Sequence, residues 1–360
     1  MFIYRPKSAD LSLLIAVAAP LSLYGFSASA NEASYPNISG ALSIEIEDDW
    51  TYRSDDPAAE FNDLYPTVIL GTTVAFTEVF SLNFEATMEP VEDPTGNRAF
   101  KDLGGYLNIA TVNYDGEMVS VYAGKFTPNF GIAWDIAPGI FGTNLNEDYE
   151  LAEMIGVGGG FHFESAGEHT ISASTFFQDT TFLSNSVGTK RGPVELSDGG
   201  PGNTEDFSSF VVALDGEFEN LAGFRYHTGF SSLAAGDDGN ARQIGYAIGG
   251  EYAFLIGENV TISPMGEFAY FDNFGGIDND TAKYLTTGVA VNYANWVAST
   301  TYQRRETKTA GVSTDDYVFD VTLGYVFDMG LGVAAAWRGA EEGSVDSEGL
   351  GFLLSYAIEF

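Results

Sequence analysis

From Ile38 to the C-terminus, apolar and polar residues exchange places every second position in one segment after another. Period-two alternation marks a strand whose two faces meet different surroundings. Ile38, Leu42, Ile44 and Ile46 share a face, with Ser39, Ser43, Glu45 and Glu47 on the other. Phe80, Leu82, Phe84, Ala86 and Met88 alternate in the same way with Ser81, Asn83, Glu85, Thr87 and Glu89. Sixteen such segments fit between Ile38 and Phe360, each near the roughly 9–11 residues that carry a tilted strand across a bilayer. A face rich in Ser, Thr, Asn and Glu suits a wetted lumen and not a packed core, where polar groups without partners are costly.

The connections carry a second regularity. After every even segment comes a tight turn, such as Tyr114-Asp115-Gly116-Glu117, Ala166-Gly167-Glu168 or Ala294-Asn295. After every odd segment comes a longer or more polar stretch, including 309–315 and 341–347 near the end. Turns on one rim and loops on the other characterise a membrane barrel, and an even strand count puts both termini on the turn rim. The expected fold is therefore all-β: a transmembrane antiparallel up-and-down barrel of sixteen strands, with short periplasmic turns and long external loops. A soluble β-rich repeat protein is the competing architecture, and it gives no reason for the alternation of turns and loops. No apolar run reaches the roughly 18–20 residues of a membrane helix, although apolar residues make up 45% and aromatics 14% of the chain.

Met1–Ala30 reads as a secretory leader: Arg5 and Lys7, then an apolar stretch, then Ala28-Ser29-Ala30 ahead of Asn31. Residues 31–360 then form a single barrel domain. Cysteine is absent, which excludes disulfides, thiolate metal sites and a thiol nucleophile. The net charge of −36 argues against nucleic acid and anionic lipid patches as partners.

The segment between Met118–Phe126 and Met154–Glu164 organises the rest. An excursion of this length, about 127–153, is uncommon without a function. It holds apolar anchors (Trp134, Ile136, Ile140, Phe141) and the carboxylates Asp135, Glu147, Asp148, Glu150 and Glu153. It is expected to fold into the lumen and narrow it.

Around this excursion, Gly124-Lys125-Phe126 and Phe130-Gly131 through Trp134-Asp135 resemble the general diffusion porins of Gram-negative outer membranes. Pro138-Gly139-Ile140-Phe141-Gly142 resembles that family's loop tip in part, with Gly139 where an acidic residue is usual, and Gly156-Val157-Gly158-Gly159 resembles the start of the next strand. The last strand, with Tyr356 and the terminal Phe360, resembles the outer-membrane assembly signal. The resemblance implies a bacterial outer-membrane location amid lipid and lipopolysaccharide, a third loop folded into the lumen, and a homotrimer with one channel per subunit.

Channel work is selective diffusion, so field and bore matter more than bond-making. Alternation points Arg225, Arg305 and Arg338 into the lumen, and the family motif adds Lys125. Facing the loop carboxylates Asp135, Glu147, Asp148, Glu150 and Glu153, this basic wall would set up a transverse field. The acidic pairs Asp55-Asp56, Asp237-Asp238, Asp278/Asp280 and Asp315-Asp316 fall on the loop rim, as solvated loops or as loose Ca²⁺ or Mg²⁺ ligands. His162, His169 and His227 form no catalytic pattern, and no enzyme is expected. The expected function is passive diffusion of ions and small hydrophilic solutes with cation preference. A sugar- or phosphate-specific channel and a non-conducting anchoring barrel are the alternatives.

Overall fold

A computed structural model describes residues 34–257 and 259–360. The leader expected over Met1–Ala30 lies outside the described residues. Sixteen long strands follow one another around a cylinder. The first eight are β1 (Asn37–Ser54), β2 (Asn62–Ala75), β3 (Phe80–Pro90), β4 (Leu103–Asp115), β5 (Val119–Phe126), β6 (Met154–Glu164), β7 (Glu168–Gln178) and β8 (Ser209–Glu217). The second eight are β9 (Phe224–Leu233), β10 (Gln243–Tyr252), β11 (Val260–Asp272), β12 (Thr281–Tyr293), β13 (Trp296–Thr309), β14 (Val312–Val326), β15 (Gly332–Glu342) and β16 (Val345–Glu359). Each pairs antiparallel with its chain neighbours, and β16 returns to β1 from Ala41↔Glu359 to Ser54↔Ser347. Phe360 finishes this seam, exchanging backbone hydrogen bonds of 2.9 and 3.0 Å with Gly40.

The alternation read from the chain is the alternation of the walls. Ile44, Leu70, Phe84, Val121, Phe161, Ile248, Phe268, Leu323 and Leu354 are exposed on the outside. Ser43, Asn83, Thr87, Asn113, Ser174, Thr286, Gln303 and Thr322 turn inward. Aromatics collect at strand ends: Phe80 against Tyr114, Tyr252 against Phe254 and Trp296 against Tyr325 on the turn rim, Trp50 against Tyr52 and Phe319 against Trp337 toward the loop rim. Tyr356 and Phe360 face outward on the turn rim. Amphipathic rings at the two edges of an apolar band suit a barrel that spans hydrocarbon.

Two expected loops are not loops. Residues 309–315 and 341–347 continue as strand, with pairing up to Thr309↔Val312 and Glu342↔Val345. The reversals are two-residue turns at Ala310-Gly311 (φ 51° and 82°) and Gly343-Ser344 (φ 58° and 66°). Positive φ at both central residues is the hairpin turn whose twist matches paired strands. Above the lipid both faces of a hairpin meet water, so the alternation fades while the strand persists. The loop rim is therefore uneven, with long loops over the earlier strands and bare hairpins at β13–β16.

A Cβ added at Gly343 meets no neighbour within 4 Å, but a side chain there must adopt φ 58°. Gly343→Val is expected to destabilise the barrel by about 1 kcal/mol from backbone strain alone. A lower urea midpoint for the loss of folded gel mobility, with conductance unchanged, checks this.

Candidate functional site

The 27-residue excursion between β5 and β6 lies inside the barrel and is fastened along the inner wall from β7 to β16. Asn129 donates to Ser172 and Asp215, at 3.1 and 2.6 Å. The Gly131 N–H donates to Nε2 of His227 at 2.9 Å, and His227 Nδ1 lies 2.6 Å from Asp215. An Nε2 that accepts leaves the proton on Nδ1, so the neutral imidazole relays between the carboxylate and the loop backbone. Glu267 on β11 is the keystone. Its carboxylate accepts the N–H of Ile132 (2.5 Å) and Ala133 (3.3 Å) and the hydroxyl of Tyr149 (2.6 Å). Further along, Ile140 N–H donates to Thr322, Leu145 N–H to Gln303, Gln303 to the Phe141 carbonyl and Thr286 to Asn146. Buried beneath the loop, these wall groups find in its backbone and side chains the partners that water would otherwise supply.

Apolar contacts fill the gaps. Phe130 and Tyr149 pack on Phe271 and Tyr284, with ring centroids 4.8–5.7 Å apart. Ile140 and Phe141 rest against Ala336 and Leu353, and Leu145 against Val318 and Ala340. Inward glycines provide the room: a Cβ at Gly249 would meet Ile132 at 2.9 Å, at Gly288 Pro138 at 2.7 Å, and at Gly351 Phe141 at 2.8 Å. The wall thus carries a track of missing side chains that the loop occupies.

On its other side the loop faces β1–β4. Their inner surface carries Glu45, Glu47, Glu85 and Glu89 together with Tyr65, Tyr106 and Asn108. Asn108 donates to Glu85 (3.2 Å) and Thr87 (2.8 Å), while Tyr106 donates to Glu89. Burial first, then the carboxylates of Asp135, Glu147, Glu85 and Glu153, push the Glu150 carboxyl up to about 8. Burial, Glu89 and Asp148 likewise raise Glu147. Loop carboxylates and wall carboxylates therefore feel one another across the opening.

This differs from the expected transverse field. Lys125 is fully buried, its Nζ 2.6 Å from Glu153 and 2.8 Å from Asp179 and donating to the Leu183 carbonyl at 3.0 Å, so it locks the wall and offers no charge to the lumen. Arg305 does point inward, but it is held by Asp148 at 2.7 Å and Asp316 at 2.8 Å. Arg338 stacks on Phe141 (4.8 Å to the centroid) and donates to Thr51 at 3.1 Å, with Asp49 at 3.7 Å. Arg225 pairs with Glu251 near the turn rim. All four cations therefore fasten the wall or the loop, and like charge faces like across the opening. Of the loop acids, Asp148 serves Arg305 and Tyr284, and Glu153 serves Lys125 and Arg191. Glu147 joins Glu150 in the acidic group on the open side, while Asp135 lies between Glu150 and the seated-side groups Glu267 and His227.

The acidic pairs on the loop rim act as struts. Asp56 accepts from Ala58 N–H, Asp238 from Gly200 N–H and Asp280 from Ala310 N–H, while Asp315 binds Arg304. Among the described residues no three metal-ligating side chains converge. Sequence reasoning missed Glu267, His227 and Arg191. Inward parity marks the first two as lumen residues, but nothing local says that a loop far earlier in the chain donates to them.

No family model matches the chain, and no curated protein matches its sequence. Solved structures do resemble it. The outer membrane channel DcaP of Acinetobacter baumannii superposes with a TM-score of 0.60 at 10% identity, covering 89% of this chain and 96% of that one. Salmonella typhi OmpF, solved in complex with daunomycin, gives 0.60 at 13% identity, covering 89% and 97%. Pseudomonas aeruginosa OccK1 gives 0.56 at 9% identity, covering 90% and 99%. At these identities the likeness establishes the fold.

Two outcomes test the site. Glu267→Ala strands two backbone donors and a phenol, each at about 1–3 kcal/mol, and is expected to loosen the loop, raising single-channel conductance and current noise. Unchanged traces would contradict its keystone role. Raising the pH through about 8 ionises Glu150 and adds negative charge to the opening. Cation selectivity should therefore rise from pH 7 to pH 9, and Glu150→Gln should diminish that rise.

Proposed function

We propose that this chain is an outer-membrane porin: a water-filled channel for passive diffusion of ions and small hydrophilic solutes, selecting for cations. The sixteen-stranded barrel, its inward loop and its likeness to outer-membrane channels support permeation. A cleaved leader, a Gram-negative outer membrane rich in lipopolysaccharide, assembly as a homotrimer, and an assembly signal ending in Tyr356 and Phe360 belong to the same reading.

The sign of the selectivity rests on one observation: carboxylates occupy both sides of the opening, while most of the basic side chains expected there are already paired. A mobile cation entering between Glu85, Glu89 and Glu147 relieves like-charge repulsion, and an anion adds to it. Anionic solutes would need a run of free Lys or Arg, and Lys125, Arg305 and Arg338 are committed to carboxylates or to Phe141. The Tyr65 and Tyr106 hydroxyls bind Glu47 and Glu89, and the Tyr106 ring face is covered by the Arg191 guanidinium.

Reversal potentials across a KCl gradient in planar bilayers test this. The expected sign is that of K⁺ preference, and the preference should shrink between 0.1 M and 1 M salt as the Debye length falls from about 10 to about 3 Å. Chloride preference would reject the selectivity, and absence of conductance in folded protein would reject permeation.

A further inference from the structure

The long connection between β7 and β8, residues 179–208, also folds inward. It carries two short 3₁₀ turns, Phe182–Ser184 and Leu196–Asp198, and a two-residue strand, Val187–Gly188. That strand pairs antiparallel with β4 (Gly104↔Gly188, Gly105↔Val187), and Thr189 N–H donates to the Leu103 carbonyl at 2.9 Å. The site exists because β5 is short: it pairs with β4 only along Ala110–Asp115 and leaves the upper part of β4 without it. An open strand edge is a template for another segment, and this loop supplies one.

Arg191 fixes the loop at its inner end. The guanidinium makes a forked pair with Glu153 (2.7 and 2.6 Å), donates through Nε to the Ser184 carbonyl at 3.0 Å, and lies over the Tyr106 ring at 3.9 Å. It therefore joins three elements: the last residue of loop 127–153, the inner face of β4, and its own loop. Glu153 is shared with buried Lys125, so both loops are fastened at one point. Between the loops lies a cavity of ≈570 Å³ lined by Glu150, Glu153, Arg191, Leu233 and Phe274 among others. Glu89 lies within the field of Arg191, and Glu147 within that of Glu89.

We propose that Arg191 is a specificity-determining residue of this channel. It pins a second loop against loop 127–153, and its guanidinium, although paired with Glu153, lies near enough to Glu89 to offset part of the carboxylate field there. This rests on the reading of the chain as a cation-preferring channel. The two roles separate by chemistry: lysine keeps the charge but loses the planar fork and the stack, while glutamine loses the charge as well.

Single-channel recordings of folded wild type, Arg191→Lys and Arg191→Gln in a KCl gradient test both roles. Arg191→Gln should raise the K⁺/Cl⁻ permeability ratio by roughly twofold or more, the effect of one unit charge a few ångströms from the path in high dielectric. It should also raise conductance as the loop loosens. Arg191→Lys should raise conductance while leaving the ratio near wild type. An unchanged ratio in Arg191→Gln overturns the charge role, and unchanged conductance in both variants overturns the positioning role. The wild-type trace isolates the underlying reading, since chloride preference there would reject that reading instead.

The absence of native cysteine permits a test of the loop that leaves Arg191 in place. A Gly105→Cys/Val187→Cys pair should oxidise readily in the folded barrel and keep wild-type conductance. Failure to cross-link, or a cross-link that closes the channel, would overturn the docked position of loop 179–208.

Discussion

A strand that crosses hydrocarbon can send its amide and carbonyl groups only to a neighbouring strand, so a membrane sheet must close on itself. The pairing of β16 with β1, continued by Phe360 against Gly40, meets that requirement and dictates most of the remaining architecture. Closure forces alternate residues inward. A sixteen-strand circumference leaves more interior than wall side chains can fill. The interior must hold water, protein or both, and here the two divide it.

The division runs along the loop between β5 and β6. Its seated side is packed and hydrogen-bonded, with aromatic and aliphatic contacts, glycine gaps, and carboxylates such as Glu267 whose lone pairs are taken by backbone N–H groups. Its open side is acidic and faces more acid on β3. Charge serves as hydrogen-bond acceptor on one side and remains as field on the other. The basic residues obey the same logic. Lys125, Arg191 and Arg305 sit where the loops end or bend, each against two or more acceptors, so they set shape first. Such anchoring is rigid because removing any one group strands several buried partners.

Much of the architecture was legible because lipid imposes its pattern on each strand locally. The strand number, the turn rim, the outward Ile and Phe rows and the inward loop all derive from alternation and connection length. Legibility fails where the pattern has no local cause. Above the bilayer, Thr307–Ser313 alternates weakly, so a hairpin with a two-residue turn reads as a loop. Lys125 sits beside Gly124 as a resemblance to porins anticipates, but its burial depends on Glu153 and Asp179 arriving from elsewhere. Arg191, in a Gly- and Pro-rich stretch, gave no sign of meeting Tyr106. The inner glutamates of β1 and β3 were visible as a polar face. That the loop would meet them with like charge, and not with arginines, was not.

The central claim is that water and carboxylates, not hydrocarbon or paired charge, occupy the space between loop 127–153 and β3–β4. Thiol chemistry in the bilayer measures it most directly, with Asn108→Cys reporting on the lumen and Ala86→Cys on the lipid face. The account predicts that a cationic methanethiosulfonate blocks current through the Asn108→Cys channel much faster than an anionic one, and that neither reagent affects Ala86→Cys. Equal rates for the two reagents, or no reaction at position 108, would contradict it.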